Sequence, residues 1–391
     1  MRDLKFPRDR VAAHISALPR SGIRDFFDIV CTMDDVISLG IGEPDFVTPW
    51  RIREATIYAL DKGHTNYTSN LGMLALRQAC CRYVADHFGP SFNPETECII
   101  TVGVSEALDL VLRALLNPGD EVIYHEPCYV SYMPSIKMAH AVPVAVATTA
   151  EQGFRIQPEQ IEAAVTPKTK VLLLNYPNNP TGGNLSWDDK VAIAAIAMKH
   201  DLVVVSDEIY VELTYAAPSP SIATVPGMED RTVFLHGFSK AYAMTGYRIG
   251  YACGPRDVIE AMMKIHQYSM LCACGFAQEA ALEAFTGAFS EMEIMREEYR
   301  QRRNVITKRL NEMGLTCRLP EGAFYVFPSI EKTGLSAYDF AMRLLAEKRV
   351  AVVPGTAFGP CGEGHARCSY ATSLEEIETA MSRIDEFLKE L

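Results

Sequence analysis

The sequence predicts an α/β protein: a large domain with a mainly parallel seven-stranded sheet flanked by helices, followed by a smaller α+β domain. Three observations predict this fold class. Seven short apolar runs recur between residues 98 and 253, helix-like stretches separate several of them, and the pattern changes after about residue 290 to charged helices and short strands. Strands alternating with helices are typical of a parallel sheet covered on both faces.

The apolar runs are rich in β-branched residues, and most are apolar throughout. Such runs are typical of strands buried on both faces of a sheet. They comprise residues 98–102, 121–125, 142–146, 170–175, 202–207, 232–236 and 248–253. The clearest helices are predicted at 105–116 and 186–200, each opening on a serine that can cap it.

The rest of the chain divides around this pattern. Residues 1–40 are predicted to be an N-terminal arm that packs on the small domain or on a partner subunit, residues 41–285 the large domain, and residues 286–391 the small domain. In the small domain the pattern predicts a charged helix at 295–313, strands at 315–319, 323–327, 350–354 and 367–371, a helix from Ser336, and a final amphipathic helix.

Composition excludes several classes of function. A net charge of −12 and a pI near 5.3 disfavour nucleic acid as a partner. The chain has no apolar run of about 18 residues, the length that indicates a membrane span, and its first residues lack the apolar core of a secretion signal. Eleven cysteines show neither zinc-site spacing nor the density of a disulfide scaffold. We therefore expect a cytoplasmic protein without a metal site or a membrane partner.

Polar residues follow four of the predicted strands at the point where each strand ends. They are residues 103–105, residues 175–182, residues 207–210, and the pair Ser239 and Lys240. Ligands of open α/β sheets bind at the carboxyl edge of the strands. We therefore expect these four turns to open on one site.

Two of these residues suggest the chemistry of the site. Asp207 ends an apolar strand, where a carboxylate is costly unless it meets a cation or a donor, although taken alone it is more typical of a helix cap. Lys240 lies in an apolar, aromatic stretch, and a desolvated lysine is a nucleophile toward carbonyl groups. Tyr210 would share a face with Asp207 on a helical turn. A lysine imine, an acid at a ring nitrogen and an arginine near a phosphate, here Arg248, are what pyridoxal 5′-phosphate requires.

At these residues the chain resembles the fold-type I, class I and II aminotransferases. The resemblance extends over nearly the whole chain and is closest to the branch that contains aromatic and aspartate aminotransferases of bacteria and archaea. The motifs that carry it are, in order, GIGEPDFVTP, NYTSNLGMLALR, PCYVSY, NYPNNPTGG, SDEIY, GFSKAYAMTGYRIGY and GHARCSYATS.

The resemblance implies a role for each residue that contacts the cofactor ring. Lys240 would hold pyridoxal phosphate as an imine and shuttle the reacting proton. Asp207 would pair with the pyridine nitrogen, Asn179 and Tyr210 would donate to the phenolic oxygen, and Tyr129 would stack on the ring.

The resemblance also implies the phosphate contacts. Gly103, Val104 and Ser105 open a helix whose amides would bind the phosphate, together with Arg248. Ser239 directly precedes the lysine, whereas many relatives carry a phosphate-binding hydroxyl at the position of Gly237, so the contact of Ser239 stays open. Tyr67 resembles a tyrosine that reaches the phosphate of the neighbouring subunit, which implies a homodimer with shared sites.

For the substrate, the resemblance implies that Arg367 clamps the α-carboxylate, with Asn179 and the backbone of Gly42 against the same group. Ile23 is expected at the side-chain pocket, where Phe26, Phe27, Ile41 and Tyr67 could add apolar walls. The predicted reaction is a ping-pong transfer of an amino group from an aromatic amino acid, or next from aspartate, to 2-oxoglutarate. The alternatives are a carbon–sulfur β-lyase or an aminocyclopropane carboxylate synthase on the same cofactor, and the ligand-sensing module of a regulator.

Overall fold

A computed structural model describes residues 10–18, 33–215 and 219–391. The α-helices of these residues are α1 (Ala13–Ser16), α2 (Trp50–Asp61), α3 (Leu74–Phe88), α4 (Gly103–Leu115), α5 (Tyr132–Met138), α6 (Pro158–Ala164), α7 (Trp187–Lys199), α8 (Arg256–Ser269), α9 (Gly275–Gly287), α10 (Phe289–Glu312), α11 (Ala337–Lys348) and α12 (Leu374–Lys389). The strands are β1 (Ile37–Ser38), β2 (Cys98–Thr101), β3 (Glu121–Glu126), β4 (Val142–Ala147), β5 (Thr169–Asn175), β6 (Val203–Asp207), β7 (Thr232–Gly237), β8 (Gly250–Cys253), β9 (Tyr325–Val326), β10 (Val350–Ala351), β11 (Val353–Pro354) and β12 (Ala366–Ser369).

The large sheet has seven strands in the order β2-β8-β7-β6-β5-β3-β4. Strands β3 to β7 pair in parallel, and β8 runs antiparallel to both of its neighbours. The predicted fold class, a mainly parallel seven-stranded sheet with flanking helices, is confirmed. Strand β4 lies at the edge and is largely exposed, and Pro143, which cannot donate to a ladder, is tolerated there.

The central strands bury both faces because successive side chains point to opposite sides of the sheet. In β5, Val171 and Leu173 pack into a core with helices α4, α5 and α8, while Leu172 and Leu174 pack into another with α6 and α7. A third core joins α3 and α9 to strands β2 and β8. This double cover explains why the strand sequences are apolar throughout.

The smaller sheet differs from its prediction. Residues 315–319 form no strand, because the side chain of Asn311 bonds both the N–H and the C=O of Cys317, at 3.0 and 2.8 Å, where a ladder would otherwise do so. The predicted strand 350–354 is split, since β10 pairs with β1 and β11 pairs with β12. Strand β12 then pairs with β9 to complete an antiparallel sheet of three short strands.

The predicted serine caps fare differently from one another. Ser186 accepts the N–H of Asp189 at 3.1 Å, so this predicted cap is confirmed. Ser336, where a helix was predicted to begin, accepts the N–H of Asp339 at the same distance. The prediction that a helix opens on Ser105 is wrong. Helix α4 begins at Gly103, and the carboxylate of Glu106 accepts the N–H of Val102 at 2.6 Å, which leaves the serine free of a capping role.

Three features connect the parts of the chain. Strand β1 pairs in parallel with β10, and helix α1 lies against α5, where His14 packs on His140 with ring centroids 4.5 Å apart. Helix α10 spans two cores, since Met292 joins the core of α3 and α9, whereas Tyr299 joins the core of the small sheet. None of the described helices is both long and apolar enough for a membrane crossing.

Candidate active site

A cavity of about 520 Å³ opens at the carboxyl edge of the large sheet. The structure brings residues from all four predicted turns to it, as well as residues from the arm and the small sheet. Its lining includes Gly40, Gly42, Val104, Ser105, Tyr129, Tyr132, Asn175, Asn179, Asp207, Tyr210, Ser239, Lys240, Thr245, Arg248, Tyr325 and Arg367.

Asp207 is the last residue of β6 and is buried. Its carboxylate accepts the hydroxyl of Tyr132 at 2.8 Å and the N–H of Ile209 at 3.3 Å. Burial raises the pKa of Asp207 to about 6, and these two hydrogen bonds oppose the rise. Among the described residues, none forms an ion pair with this carboxylate, so the site holds an acid that is free to pair with a ligand.

The position of Asp207 is fixed from the neighbouring strand. Asn175 ends β5 directly opposite it in the ladder and donates its side-chain amide to the Asp207 carbonyl at 2.9 Å. The N–H of Asn175 donates in turn to Nε2 of His125 at 3.2 Å. Because burial lowers the pKa of His125 to about 3, this ring is neutral and can accept that bond.

Lys240 follows β7 and donates from Nζ to the carbonyl of Gly42 at 2.6 Å. Its ammonium lies 5.8 Å from the centroid of the Tyr210 ring and 5.7 Å from that of Phe324. Burial lowers its pKa to about 8, against an opposing effect of Glu43 and with help from the positive charge of Arg367. A lysine in this environment loses its proton far more readily than an exposed one.

Arg367 lies on β12 and is buried. It donates to Oδ1 of Asn179 at 2.9 Å and to the carbonyl of Gly40 at 2.5 Å, and its guanidinium lies over the ring of Tyr325 at 4.5 Å. Its Nε is buried without a hydrogen-bond partner among the described residues. One edge of the guanidinium is therefore anchored, and donors remain for an anion in the cavity.

Tyr210 and Tyr325 share a hydrogen bond of 3.0 Å between their hydroxyls. This pair leaves no room for a side chain at Gly42, because a Cβ there would lie 2.5 Å from the Tyr325 hydroxyl oxygen. Gly42 therefore allows the backbone to approach the pair, and its carbonyl still accepts the bond from Lys240.

The start of helix α4 combines two features of a phosphate site, a helix N-terminus and an arginine. Gly103 has a φ of +74°, and a Cβ there would lie 2.8 Å from Nη2 of Arg248, so only glycine permits this packing. A Cβ at Gly237 would lie within 3.1 Å of Ile249 and Val104, so a hydroxyl side chain at this position would be crowded. Ser105, Ser239 and Thr245 line the cavity and carry hydroxyl groups.

Some predicted residues do not meet in this cavity. Tyr67 is 81% exposed and Ile41 is 46% exposed, and neither lines it in the described chain. Ile23, Phe26 and Phe27 lie outside the described residues.

The sequence did not point to three residues that shape the site. Tyr132, three residues after Tyr129 in PCYVSY, stood in a motif that could have pointed to it. Tyr325 and His125 had no such signal, because Tyr325 comes from the small sheet and His125 lies inside β3 and acts through Asn175.

Comparisons with known proteins identify the family. The family model described as aminotransferase class I and II matches residues 34–384. YugH of Bacillus subtilis, named as an aminotransferase without a stated substrate, is 51% identical over 96% of this chain and 97% of its own length. An aromatic-amino-acid aminotransferase of Thermococcus litoralis is 44% identical, covering 95% of this chain and 96% of its own. The structure of an aspartate aminotransferase from Thermus thermophilus with maleate has a TM-score of 0.93 at 39% identity, covering 97% and 100%.

The chain belongs to the class I and II aminotransferases, and it is an aminotransferase. Its cofactor is pyridoxal 5′-phosphate, which the members of this family use. The residues present fit this group. The buried amine of Lys240, whose pKa is lowered, suits the aldehyde of the cofactor. The carboxylate of Asp207 suits its ring nitrogen, and Arg248, packed at a helix N-terminus, suits its phosphate.

Proposed function

We propose that this aminotransferase takes the amino group of an aromatic L-amino acid, tyrosine or phenylalanine, and transfers it to 2-oxoglutarate in a ping-pong reaction. The observation that carries the choice of donor is the charge of the cavity lining. Among its described residues, Lys240, Arg248 and Arg367 bear positive charge. All three have a role toward the cofactor or the α-carboxylate, so none is left for the second carboxylate of aspartate.

The cofactor-binding roles follow from the positions of these groups. Bound pyridoxal phosphate supplies an electron-accepting ring that stabilises the charge left at the substrate α-carbon. Asp207 would hold the proton of the ring nitrogen, with Tyr132 keeping its carboxylate ionised through the bond at Oδ2. The hydroxyl of Tyr210 and the amide of Asn179 would donate to the phenolic oxygen, and Tyr129 would cover the ring.

The phosphate would be held by Val104, Ser105 and Arg248. Gly103 would provide the room for it, and Ser239 would be an additional donor.

Lys240 has two tasks that its environment supports. With a pKa of about 8 against 10.5 for a free lysine, its neutral fraction near pH 7 is about 300-fold larger. The neutral Nζ would bind the cofactor aldehyde, and as a base it would move the proton of the substrate α-carbon. In the described state Nζ is held by Gly42, at the same edge of the cavity as Arg367.

Arg367 would orient the substrate. Two of its donors are held by Asn179 and Gly40, which fixes the plane of the guanidinium, and the remaining edge matches a carboxylate. Gly42 and Asn179 would contact the same carboxylate. The side chain of an aromatic donor would extend toward the arm, where we retain Ile23 as a contact.

We also propose a homodimer in which Tyr67 of each chain completes the phosphate site of the other. The exposure of Tyr67 supports this, because an aromatic side chain that is 81% exposed in one chain is available to a partner. The γ-carboxylate of 2-oxoglutarate would need a cation from beyond the described lining, and the comparison of tyrosine with aspartate as donors tests whether such a cation also serves aspartate.

The assignment of Lys240 is tested by Lys240→Ala. Transamination and the absorbance of the lysine-bound cofactor should both be lost, and retention of either contradicts the assignment. Lys190→Ala is a matched control, since Lys190 is also buried with a pKa lowered by burial but binds Ser219 and Pro220 outside the cavity.

The donor is tested by comparing kcat/KM for tyrosine, phenylalanine, aspartate and alanine, each with 2-oxoglutarate. We expect tyrosine and phenylalanine to exceed aspartate, and a preference for aspartate would overturn the proposed donor. Release of pyruvate and ammonia from cystathionine without any 2-oxo acid would instead indicate a β-lyase. We do not expect that outcome, because relatives that match this chain over nearly their whole length are named aminotransferases.

A further inference from the structure

Four buried cysteines meet in the core between helix α3 and the β2–β8 edge of the sheet. Cys80 and Cys81 lie on α3, and Cys98 on β2 is paired directly across the ladder with Cys253 on β8. The sulfur atoms of Cys81, Cys98 and Cys253 all lie within 4.8 Å of one another, and Cys80 is buried next to Cys81 on α3. We refer to these four residues as the thiol cluster.

We propose that the thiol cluster binds one thiophilic d¹⁰ metal ion, such as Zn²⁺ or Cd²⁺, through Cys81, Cys98 and Cys253, with Cys80 able to serve as a fourth ligand. Soft thiolate ligands select ions of this class. Binding is an exchange without redox change: three metal–sulfur bonds form, three S–H bonds break, and three protons pass to the buffer.

The geometry requires little movement. With Zn–S bonds of about 2.3 Å, sulfur atoms around a zinc ion are about 3.8 to 4.0 Å apart. The present separations are at most 4.8 Å, so each pair has to close by less than about 1 Å, which small side-chain rotations can supply. The ligands come from three elements that already pack together, so the backbone of the site is formed before the ion arrives.

The surroundings suit an anionic metal–thiolate centre. Three thiolates and a divalent ion carry one net negative charge, which a buried ion pair must balance. Arg77, one turn before Cys80 and Cys81 on the same helix, is buried, and its charge acts on both Cys81 and Cys98. On β8, Tyr251 has a buried hydroxyl without a hydrogen-bond partner among the described residues, and it lies on the same face as Cys253.

The cluster lies at the opposite end of β2 from the turn at Gly103. A bound ion would tie α3 to β2 and β8 and so stabilise the folded chain without contacting the cofactor site. This inference therefore does not rest on the proposed donor or acceptor.

Cadmium ion is the probe of choice, because its bonds to thiolates absorb in the ultraviolet. Reduced, chelator-treated holoenzyme should take up one equivalent per chain, with release of about three protons, and should keep it through gel filtration. Zinc should compete for the site and raise the Tm. The Cys98→Ser variant should lose the tightly held equivalent, since the Cys98 sulfur lies within 4.8 Å of the sulfur atoms of Cys81 and Cys253. Cys368→Ser removes a buried cysteine near Cys317 in the other core and should retain it.

The proposal is overturned if the holoenzyme retains no stoichiometric cadmium, or if Cys98→Ser binds as the unmodified protein does. Should Cys98→Ser fail to fold, Cys81→Ala and Cys253→Ala separately provide the same comparison, with circular dichroism and transamination reporting the fold. Uptake that is equal in these variants and in Cys368→Ser would mean that the metal binds elsewhere.

Discussion

The cavity has a buried end, at Asp207 and Arg367, and a phosphate end, at Arg248 and the start of helix α4. The two ends differ in how many of their contacts come from the same chain. At the buried end, Asp207 and Arg367 are 5% and 3% exposed and are held by hydrogen bonds from the same chain. At the phosphate end, Arg248 is exposed, and Tyr67 is 81% exposed and does not line the cavity of the described chain. Under the proposed homodimer, we therefore expect the residues of the chemistry to come from one subunit and those that retain the cofactor to come from two.

The buried end also carries the electrostatic cost. Burial raises the pKa of Asp207 and lowers that of Lys240, so the charged form of each residue is disfavoured by its surroundings in the protein. Groups shifted in this way are typical of sites whose partner is a ligand instead of another side chain. Variants at the buried end should therefore reduce turnover, and variants at the phosphate end should reduce cofactor affinity.

The largest effect is expected from Asp207→Asn, which keeps the shape of the side chain and removes its charge. We expect kcat to fall by about 100- to 1,000-fold, because the ring nitrogen loses the group that holds its proton. A cofactor analogue methylated at that nitrogen carries a fixed charge and should restore part of the loss. Activity measured with both cofactors checks this.

The matched control is Glu208→Gln. Glu208 is the buried neighbour of Asp207, accepts hydrogen bonds from Ser206 and Ser221, and does not line the cavity. Equal losses in the two variants would show that Asp207 acts only through the fold.

Arg367→Lys should come next, with kcat/KM lower by about 10- to 100-fold for every amino acid donor. Lysine keeps the charge but cannot form two parallel bonds to a carboxylate while also holding Asn179 and Gly40. Cofactor affinity should change little. The same substitution at Arg302, which forms a two-bond pair with Asp45 away from the cavity, provides the control. A loss confined to one donor would contradict a clamp on the α-carboxylate.

At the phosphate end, Tyr67→Phe should weaken cofactor binding by about tenfold, with kcat of the saturated enzyme nearly unchanged. Mixed dimers decide between a shared and a self-contained site. A dimer of one Lys240→Ala chain and one Tyr67→Phe chain retains one complete site if Tyr67 serves the partner, and none if it serves its own chain. Cofactor titration of such hybrids, with Tyr268→Phe as an exposed control, measures this.

The sequence predicted the large sheet and the strand-end residues because each depends on local signals. An apolar run followed by a polar turn identifies both the strand and its carboxyl edge, as Asp207 and Lys240 show. The small sheet was predicted less well, since a side chain of the preceding helix, Asn311, takes the hydrogen bonds that a strand at Cys317 would need. The thiol cluster had no sequence signal either, because Cys98 and Cys253 meet only through strand pairing.

Tyr132 tests the comparison of the two ends with the smallest expected effect. Its hydroxyl bonds to Asp207 at the buried end, and it has no assigned contact with the substrate. Its hydroxyl stabilises the ionised form of Asp207, so Tyr132→Phe should raise the pKa of that carboxyl. Asp207 carries its charge only above its pKa, and loss of one hydrogen bond to a charged group should therefore move the acidic limb of the kcat/KM profile up by about one pH unit. Activity well above that limb should fall only about fivefold or less.

The control is Tyr124→Phe. It removes a bond of the same 2.8 Å length to Glu126, a carboxylate that does not line the cavity, and should leave the acidic limb in place. If both variants leave the profile unchanged, Tyr132 positions Asp207 without tuning its charge.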